Sequence, residues 1–368
     1  MKGIEVFRNT LVVLLTIALA YLFVRTLNIW LVLAIAILIA SAVRPAIVRL
    51  RRWGLSQGFA ILVVYGFMAA VGVTMLLLVM PPVVNQFIGF LQNDNRLANR
   101  LIIAQSWLER TLGDITGSNV SFGIAPEDVR TTVHTFVEDI RITAPSLLDD
   151  LSQFVTDFVL IFVMGIYWLT SREKAEKFIL DLVPIGRQAQ VSAIFEEIET
   201  GLGAYVRGII LVSFLVGSIS YVPLALLNVP GAATISFIYG LATAIPIVGG
   251  ILGVAAGTAL ALISSPTAAL TVFLVTAVMQ QVENYIISPR IMSRASAFDE
   301  ILVIVFIAAG FTLNGIVGAL IAIPVAGTVT IIVRHLVLEP RKARVTPVKV
   351  EGGILLTTTD PDLPSLRP

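Results

Sequence analysis

Polar side chains interrupt an otherwise apolar part of the chain in the stretch MQQVENYIISPR, residues 279–290. Gln280, Glu283 and Asn284 have the spacing i, i+3 and i+4, which places them on one face of a helix. Side-chain amides donate and accept hydrogen bonds, and a carboxylate accepts them, attracts cations and exchanges a proton. This face therefore carries the groups needed to bind a polar solute or a cation.

A second polar stripe on the same predicted helix contains Gln281, Tyr285 and Ser288, and Arg290 follows Glu283 two helical turns later. Three roles for Glu283 stay open. It could bind a solute, a proton or a cation; it could form an ion pair with Arg290 that fixes the helix end; or it could mark a wet helix end at a membrane interface. A carboxylate facing lipid near the bilayer centre would cost about 2.5–3.5 kcal/mol, so we expect Glu283 to face protein or a wet cavity.

The composition indicates that the chain lies in a bilayer. Of its 368 residues, 57% are hydrophobic and 13% are charged, whereas a soluble domain has about 25% charged residues. Several apolar runs reach the roughly 18 residues that indicate a membrane-spanning helix. We therefore predict an all-α, polytopic helical membrane protein with about eight transmembrane segments, two of them broken or re-entrant, and a polar amphipathic helical insert.

The same composition argues against other classes of function. The net charge is +1 and cysteine is absent, and we find no basic face interleaved with aromatic residues, so we expect no nucleic-acid partner. The chain also lacks a phosphate-binding loop and the motifs of hydrolytic enzymes. We expect no enzymatic activity, no metal site and no cofactor, with H⁺ or Na⁺ as candidate coupling ions.

The first half predicts a small membrane unit followed by a polar insert. Residues 1–82 contain three apolar runs, and we expect Pro81 and Pro82 to end the third. Four arginines between positions 44 and 52 mark the second loop as cytoplasmic, which places both termini in the cytoplasm. In residues 83–150 acids outnumber bases, and we expect an extracytoplasmic pair of amphipathic helices there.

Residues 151–339 form the predicted transport half, and we expect residues 340–368 to be a disordered cytoplasmic tail. Two long apolar segments, 232–264 and 301–333, contain helix-breaking residues in their middle. Broken helices at membrane depth expose backbone groups that bind substrates or ions, although small residues also serve close helix packing. Eight full crossings would place Arg290 and Arg294 on the extracytoplasmic side or partly within the membrane, which conflicts with their charge.

Three motifs, in this order and spacing, resemble the AI-2E family of transporters: IPIVGGILG (Ile245–Gly253), QQVENYIISPRIM (Gln280–Met292) and LNGIVGALIAIPVAG (Leu313–Gly327). The resemblance implies a bacterial inner-membrane protein with about eight spans that forms a homo-oligomer, with a pentamer as one candidate. It also implies export of a small polar metabolite, autoinducer-2 being the eponymous substrate. Some members resemble sodium or lithium/proton antiporters, so the family does not fix the substrate.

The motifs also imply which residues line the pathway. Two positions depart from the family pattern: Gly250 stands where a proline is frequent, and Ile209 where a glutamine often follows Gly208. The candidate solute or ion pathway contains Gln280, Gln281, Glu283, Asn284, Arg290, Pro246, Gly249, Gly315 and Pro324.

The leading hypothesis is a secondary transporter of the inner membrane that exports a small polar metabolite or signal such as autoinducer-2. A monovalent cation/proton antiporter is one alternative, and an oligomeric channel or membrane scaffold without alternating access is another. The expected partners are a small polar solute or ion, the lipid bilayer and further copies of the chain.

Overall fold

A computed structural model describes residues 2–92, 94–143, 146–246, 248–292, 300–338, 347–350 and 353–356. The predicted all-α class is confirmed, because helices account for nearly all of the described residues. The helices are α1 (Lys2–Arg25), α2 (Leu27–Arg52), α3 (Gln57–Gln92), α4 (Asp94–Thr116), α5 (Pro126–Thr143), α6 (Ser146–Asp181), α7 (Ile185–Leu226), α8 (Ala232–Ala242), α9 (Gly249–Leu262), α10 (Pro266–Val282), α11 (Ser288–Met292) and α12 (Glu300–Val333).

Four shorter elements complete the described chain. A π-helical turn, Glu283–Ile287, joins α10 to α11, and a second one, Arg334–Leu338, follows α12. Strands β1 (Pro347–Val350) and β2 (Gly353–Leu356) pair antiparallel within the tail that we expected to lack structure. The rest of residues 340–368 lies outside the described residues.

Seven helical stretches in the described residues are long and apolar enough to cross a membrane. They confirm a multi-pass helical membrane protein. The stretches are Val6–Arg25, Leu27–Arg52, Gln57–Met75, Val155–Asp181, Ile185–Leu226, Pro266–Met292 and Ile301–Leu336. The apolar helices α8 and α9 are shorter than this and stand apart from the seven.

The third apolar helix continues past its two prolines. We expected Pro81 and Pro82 to end it, but α3 contains both and extends to Gln92, so that prediction was wrong. A proline lacks the N–H of a helical hydrogen bond, yet its φ is close to the helical value, so the chain can remain helical at a cost of about 3 kcal/mol. As a result, α3 extends beyond its apolar part and leads directly into the insert.

Segment 232–264 is broken as predicted and forms a hairpin of α8 and α9. The two helices run antiparallel: a Cβ added to Gly257 would lie 3.0 Å from Ile235 Cγ2, and one added to Gly253 would lie 2.7 Å from Tyr239 Cδ2. Glycines on α9 therefore allow the close approach of α8. Because the chain returns to the end from which it came, this segment does not cross the bundle.

Segment 301–333 is long enough to cross as one helix, but it also folds back as a hairpin. Its backbone leaves the helical region at Asn314 (φ −152°, ψ 44°) and at Gly315 (φ 52°, ψ −138°). A first arm, residues 300–313, and a second arm, residues 316–333, pack so closely that a Cβ on Gly310 would collide with the backbone of Gly318. The positive φ at Gly315 is a conformation that glycine adopts without steric cost.

The α8–α9 hairpin settles the direction of the helix that carries Glu283. We call the end of the bundle with Arg49, Arg51 and Arg52 the basic end, and the end with α4 and α5 the insert end. Since α8 and α9 return to the insert end, α10 and α11 run from there towards the basic end. Accordingly, Gly208, in the middle of α7, lies next to Met292. A Cβ added to Gly208 would lie 3.7 Å from Met292 Cγ.

This direction removes the conflict over Arg290. The residue lies at the basic-end terminus of the span Pro266–Met292 rather than at the opposite end, where eight full crossings would have put it. Arg294, which shared the conflict, lies outside the described residues. The physical reason is that the broken segment 232–264 re-enters on one side, so it contributes no crossing.

Charged residues near the basic end join three helices. The Glu199 carboxylate, 4% exposed, accepts from Arg44 Nη1 at 2.9 Å and from Arg172 Nε at 2.6 Å. Arg172 also pairs with Glu176 at 3.0 Å and with Glu196. These contacts tie α2 and α6 to α7. Helix α7 has 42 residues, and at about 1.5 Å per residue its length is about twice the thickness of the bilayer core.

Candidate functional site

A cavity of about 250 Å³ lies where the tip of the α8–α9 hairpin meets α7 and the junction of α10 with α11. The hairpin tip supplies one wall, α7 supplies a second, and the polar stretch that begins at Gln280 supplies the third. The lining residues are Tyr205, Ile209, Val212, Thr243, Ala244, Ile245, Pro246, Gly250, Gln280, Glu283, Asn284, Ser288, Met292 and Ile323.

Glu283 is the acidic residue of this cavity and is 8% exposed. Its Oε2 accepts a hydrogen bond from Gln280 Nε2 at 3.0 Å. Gln280 Nε2 also donates to Asn284 Oδ1 at 3.2 Å. The structure therefore brings together the three residues that the spacing i, i+3 and i+4 assigned to one face, and Glu283 faces protein and a cavity, as expected.

Tyr239, on α8, holds the other end of the Gln280 amide. Its hydroxyl lies 3.1 Å from Gln280 Oε1 and 3.1 Å from the carbonyl oxygen of Thr276. A hydroxyl that donates to Oε1 orients the amide so that its N–H groups point towards Glu283 and Asn284. Because Tyr239 is fully buried, the hairpin fixes the orientation of this hydrogen-bond network.

Gly250 explains how the hairpin can pack against the network. It lies in the first turn of α9, and a Cβ there would overlap the side-chain amide of Gln280. Any larger residue at this position would have to displace that amide. The departure from the family pattern, a glycine where proline is frequent, therefore lies directly on the Gln280 side chain.

The two predicted residues of the hairpin tip differ in their roles. Pro246 lines the cavity, next to Thr243 and Ala244. Gly249 is buried behind the tip, where a Cβ would collide with the carbonyl oxygen of Ala242. Gly249 thus shapes the turn, whereas Pro246 forms part of the cavity wall.

The π-helical turn changes which residues of the polar stretch face the cavity. Its i→i+5 pattern adds a residue to one turn and rotates everything that follows. Ser288, which an α-helix would place in the stripe of Gln281 and Tyr285, lines the cavity instead. Tyr285 is 79% exposed, and Gln281 is also exposed and lies outside the lining.

The same rotation separates Arg290 from Glu283. Arg290 is exposed, and among the ion pairs of the described residues none joins it to Glu283. The predicted alternative in which Glu283 forms an ion pair with Arg290 is therefore not found in the structure.

The remaining predicted residues, Gly315 and Pro324, lie outside the cavity lining. Gly315 forms the tip of the second hairpin, where the adjacent Asn314 Nδ2 donates to Asn28 Oδ1 of α2 at 2.9 Å. Pro324 is buried in the second arm, and its neighbour Ile323 reaches the cavity. The second hairpin therefore contributes an apolar side chain rather than its tip.

Sequence reasoning missed Tyr239 and Thr243 as site residues. Thr243 lines the cavity, and its Oγ1 donates to the carbonyl oxygen of Gly240 at 2.7 Å. The signal that could have identified Tyr239 is its size, since the hairpin around it consists largely of small residues. Tyr205, in the sequence YVRG (Tyr205–Gly208), also lines the cavity and was likewise missed as a site residue.

Comparison with known proteins finds similar sequences within one family of transporters. The profile of the AI-2E family transporter matches residues 11–338, which is nearly the whole chain. Two relatives come from Bacillus subtilis (strain 168). "Putative transport protein YrrI" is 27% identical over 169 residues, 46% of this chain and 48% of that protein. "Putative transport protein YueF" is 22% identical over 205 residues, 55% of this chain and 56% of that protein.

A third relative, "Putative transport protein MT0215" of Mycobacterium tuberculosis (strain CDC 1551 / Oshkosh), is 27% identical over 272 residues, 70% of this chain and 73% of that protein. The chain thus spans about half the length of the first two relatives. The family match covers both hairpins and the polar stretch between them. This chain belongs to the AI-2E family of transporters.

Proposed function

We propose that the chain is a secondary transporter that exports a small polar solute across the bacterial inner membrane and binds it in the cavity at the hairpin tip. The observation that carries the proposal is the buried carboxylate of Glu283, held by Gln280 inside a cavity next to a broken helix. Ionisable groups at membrane depth generally mark substrate or ion pathways, and transporter sites form at interrupted helices.

The orientation in the membrane follows from the arginines. Arg49, Arg51 and Arg52 close α2 at the basic end, and the positive-inside rule assigns such loops to the cytoplasm. The end of α12 lies at that end too, because Arg334 and His335 bind Glu197 near the start of α7, and Lys2 and Arg8 favour the cytoplasm for the start of α1. In this orientation the insert is extracytoplasmic, and both the tail and the N-terminus are cytoplasmic.

The cavity suits a small solute rather than a large one. Its volume of about 250 Å³ is just below the roughly 300–1,000 Å³ of drug-sized ligand pockets. The amides of Gln280 and Asn284, the Thr243 hydroxyl and the Glu283 carboxylate offer hydrogen bonds to hydroxyl groups of a metabolite. A small polyhydroxylated signal such as autoinducer-2 is the substrate class that these groups fit.

Glu283 also supplies a coupling group. Protonation removes its charge and with it the cost of passing through a dry state, so binding of H⁺ or Na⁺ can be linked to movement of the solute. The same carboxylate, next to the Asn284 amide oxygen, favours a monovalent cation/proton antiporter as the second candidate. A channel or scaffold without alternating access would use the cavity without any coupling.

We also propose that the chain works as a homo-oligomer, with a pentamer as a candidate. The supporting observation is α1, whose span Val6–Arg25 has no buried residue. A fully exposed apolar helix of this length needs lipid or another copy of the chain as its neighbour.

Flux in proteoliposomes tests these proposals. Wild-type protein would be reconstituted into proteoliposomes. The vesicles would be loaded with autoinducer-2, a small sugar or a monovalent cation, and an H⁺ or Na⁺ gradient would be imposed across their membrane. Uphill efflux of an organic solute supports the exporter. Cation flux alone, exchanged for protons, supports the antiporter, and flux that only follows the solute gradient supports a channel. If no solute or ion moves, the transport proposal is wrong.

A further inference from the structure

We infer that an acyl chain of a bilayer phospholipid, with an ammonium-bearing headgroup, occupies the groove between the insert and the first hairpin. This groove has a volume of about 660 Å³, larger than the cavity at Glu283. Its walls come from α4, α5 and the loop between them on one side and from α9 and α10 on the other.

The walls have the chemistry of a hydrocarbon site. Leu101, Leu108 and Val133 of the insert face Leu262 and Leu270 of the hairpin and α10. A bound lipid tail would need no hydrogen bonds here, and a polar solute would find few. Ala104 of the insert also lines this groove.

The groove is continuous with the surface that faces the bilayer. Leu270 and Phe273 line it and are 37% and 47% exposed on the span Pro266–Met292. A lipid next to this span can therefore insert its tail sideways, without leaving the hydrocarbon. From Pro266 to Phe273 α10 advances about 10 Å at 1.5 Å per residue, so the groove covers the outer part of one leaflet.

The insert and the membrane part have separate cores on either side of this groove. Ala98, Val133 and Val137 form the core between α4 and α5, whereas Ala269 and Val272 belong to the core of the hairpin and α10. Val133 and Ala269 both line the groove. A tail lying there would cover apolar surface of both cores at once and join the insert to the hairpin.

The polar rim selects the headgroup. Asp128 is the one charged residue among the described residues that line the groove, and it lies in the first turn of α5. Gln105 is occupied, because its Nε2 donates to Glu109 Oε1 and to the carbonyl oxygen of Ile124, both at 3.1 Å. Asp128 attracts an ammonium group and repels an anionic one, which favours phosphatidylethanolamine over phosphatidylglycerol.

Photo-crosslinking tests this inference. The full-length protein would be reconstituted with phosphatidylethanolamine or phosphatidylglycerol that carries a diazirine on one acyl chain, and labelled peptides would be mapped. We expect labelling of the peptides around residues 101–108 and 258–273, stronger with phosphatidylethanolamine. Ala104→Trp, which fills the groove, should lose most of this labelling. Ile103→Trp is the matched control, since Ile103 is exposed on the same helix outside the groove.

The outcomes separate the occupants. Equal labelling in Ala104→Trp and Ile103→Trp, with both variants eluting like wild type, would overturn the inference, as would crosslinks from the groove to a second copy of the chain. Asp128→Asn provides a test without any change of volume: it should keep the labelling and lose the preference for phosphatidylethanolamine. A preference for phosphatidylglycerol in wild-type protein would contradict the headgroup assignment.

Discussion

Gln280 Nε2 donates a hydrogen bond to Glu283 Oε2 at 3.0 Å, and the same nitrogen reaches Asn284 Oδ1 at 3.2 Å. The amide thus links the buried carboxylate to the cavity and, through Tyr239, to the hairpin. A change in the protonation or ligand state of Glu283 would reach α8 through a single side chain. This relationship is the basis of the transport proposal, and it makes two neighbouring glutamines an informative pair.

Gln280→Ala should lower gradient-driven flux strongly, because it removes the donor to Glu283 and the acceptor for Tyr239. A buried hydrogen bond to a charged group contributes about 1.5–3 kcal/mol, and its loss leaves the carboxylate short of a partner. Gln281→Ala is the control, since Gln281 is exposed and outside the cavity. Flux measured in proteoliposomes should fall only in the first variant; equal loss in both would argue against a specific role for the network.

Gly250→Ala should reduce flux through the same network. The added Cβ would overlap the Gln280 amide, and the glutamine must then rotate away from Glu283. Gly66→Ala, on α3, is the matched control, because a Cβ there meets nothing within 4 Å. A Gly250→Ala protein with unchanged flux would show that the position of the Gln280 amide is not critical.

Glu199→Gln should destabilise the basic end of the bundle. Glu199 is 4% exposed and binds both Arg44 and Arg172, so the variant leaves two arginines facing a neutral amide. Removing one partner of a fully buried pair costs about 3–5 kcal/mol, and we expect about 2–3 kcal/mol here because Arg44 is partly exposed. Thermal unfolding would measure the loss, and Glu138→Gln, from a surface pair with Arg141, should have little effect.

The bond between Asn314 and Asn28 should stabilise the tip of the second hairpin. Because Asn28 is exposed and Asn314 is half-buried, we expect a coupling free energy of about 0.5–1 kcal/mol. A double-mutant cycle with Asn28→Ala and Asn314→Ala, read by thermal unfolding, isolates this term. Strict additivity of the two substitutions would mean that the bond contributes nothing to stability.

The insert should lose local order in acid. The backbone N–H of Phe122 and the Gln105 amide hold the pKa of Glu109 below its ordinary value. A depressed pKa in the folded state means that the contribution to stability is present above the unfolded pKa and disappears as pH falls through the folded pKa. Protection of the Phe122 amide against hydrogen exchange, taken relative to its intrinsic rate at each pH, should fall over that acidic range, and Glu109→Gln should abolish this pH-dependent change in protection.

The sequence predicted the class of fold and the grouping of Gln280, Glu283 and Asn284 on one helix face correctly, for physical reasons. The low charge and the long apolar runs leave few alternatives to a helical membrane protein. The spacing of Gln280, Glu283 and Asn284 is short enough that the π-helical turn, which begins at Glu283, does not separate them. Proline and glycine in the middle of segment 232–264 correctly indicated its break.

Other features depended on tertiary structure. No local signal distinguishes the π-helical turn from an α-helix, so Ser288 and Arg290 were assigned to the wrong faces. Tyr239 joins the site because α8 folds back along α9, and the contact between it and Gln280 bridges two distant parts of the chain. The continuation of α3 through Pro81 and Pro82 likewise shows that helix-breaking residues lower stability without always ending a helix.

The most direct test of the central claim is gradient-driven solute flux in proteoliposomes of Glu283→Gln compared with Glu173→Gln. The second variant makes the same chemical change at an exposed glutamate of α6, and elution and thermal unfolding of both would be checked on the same samples. The account predicts that flux is lost in Glu283→Gln and kept in Glu173→Gln, with both proteins folded. Undiminished flux in Glu283→Gln would contradict it and would leave the carboxylate with a structural role alone.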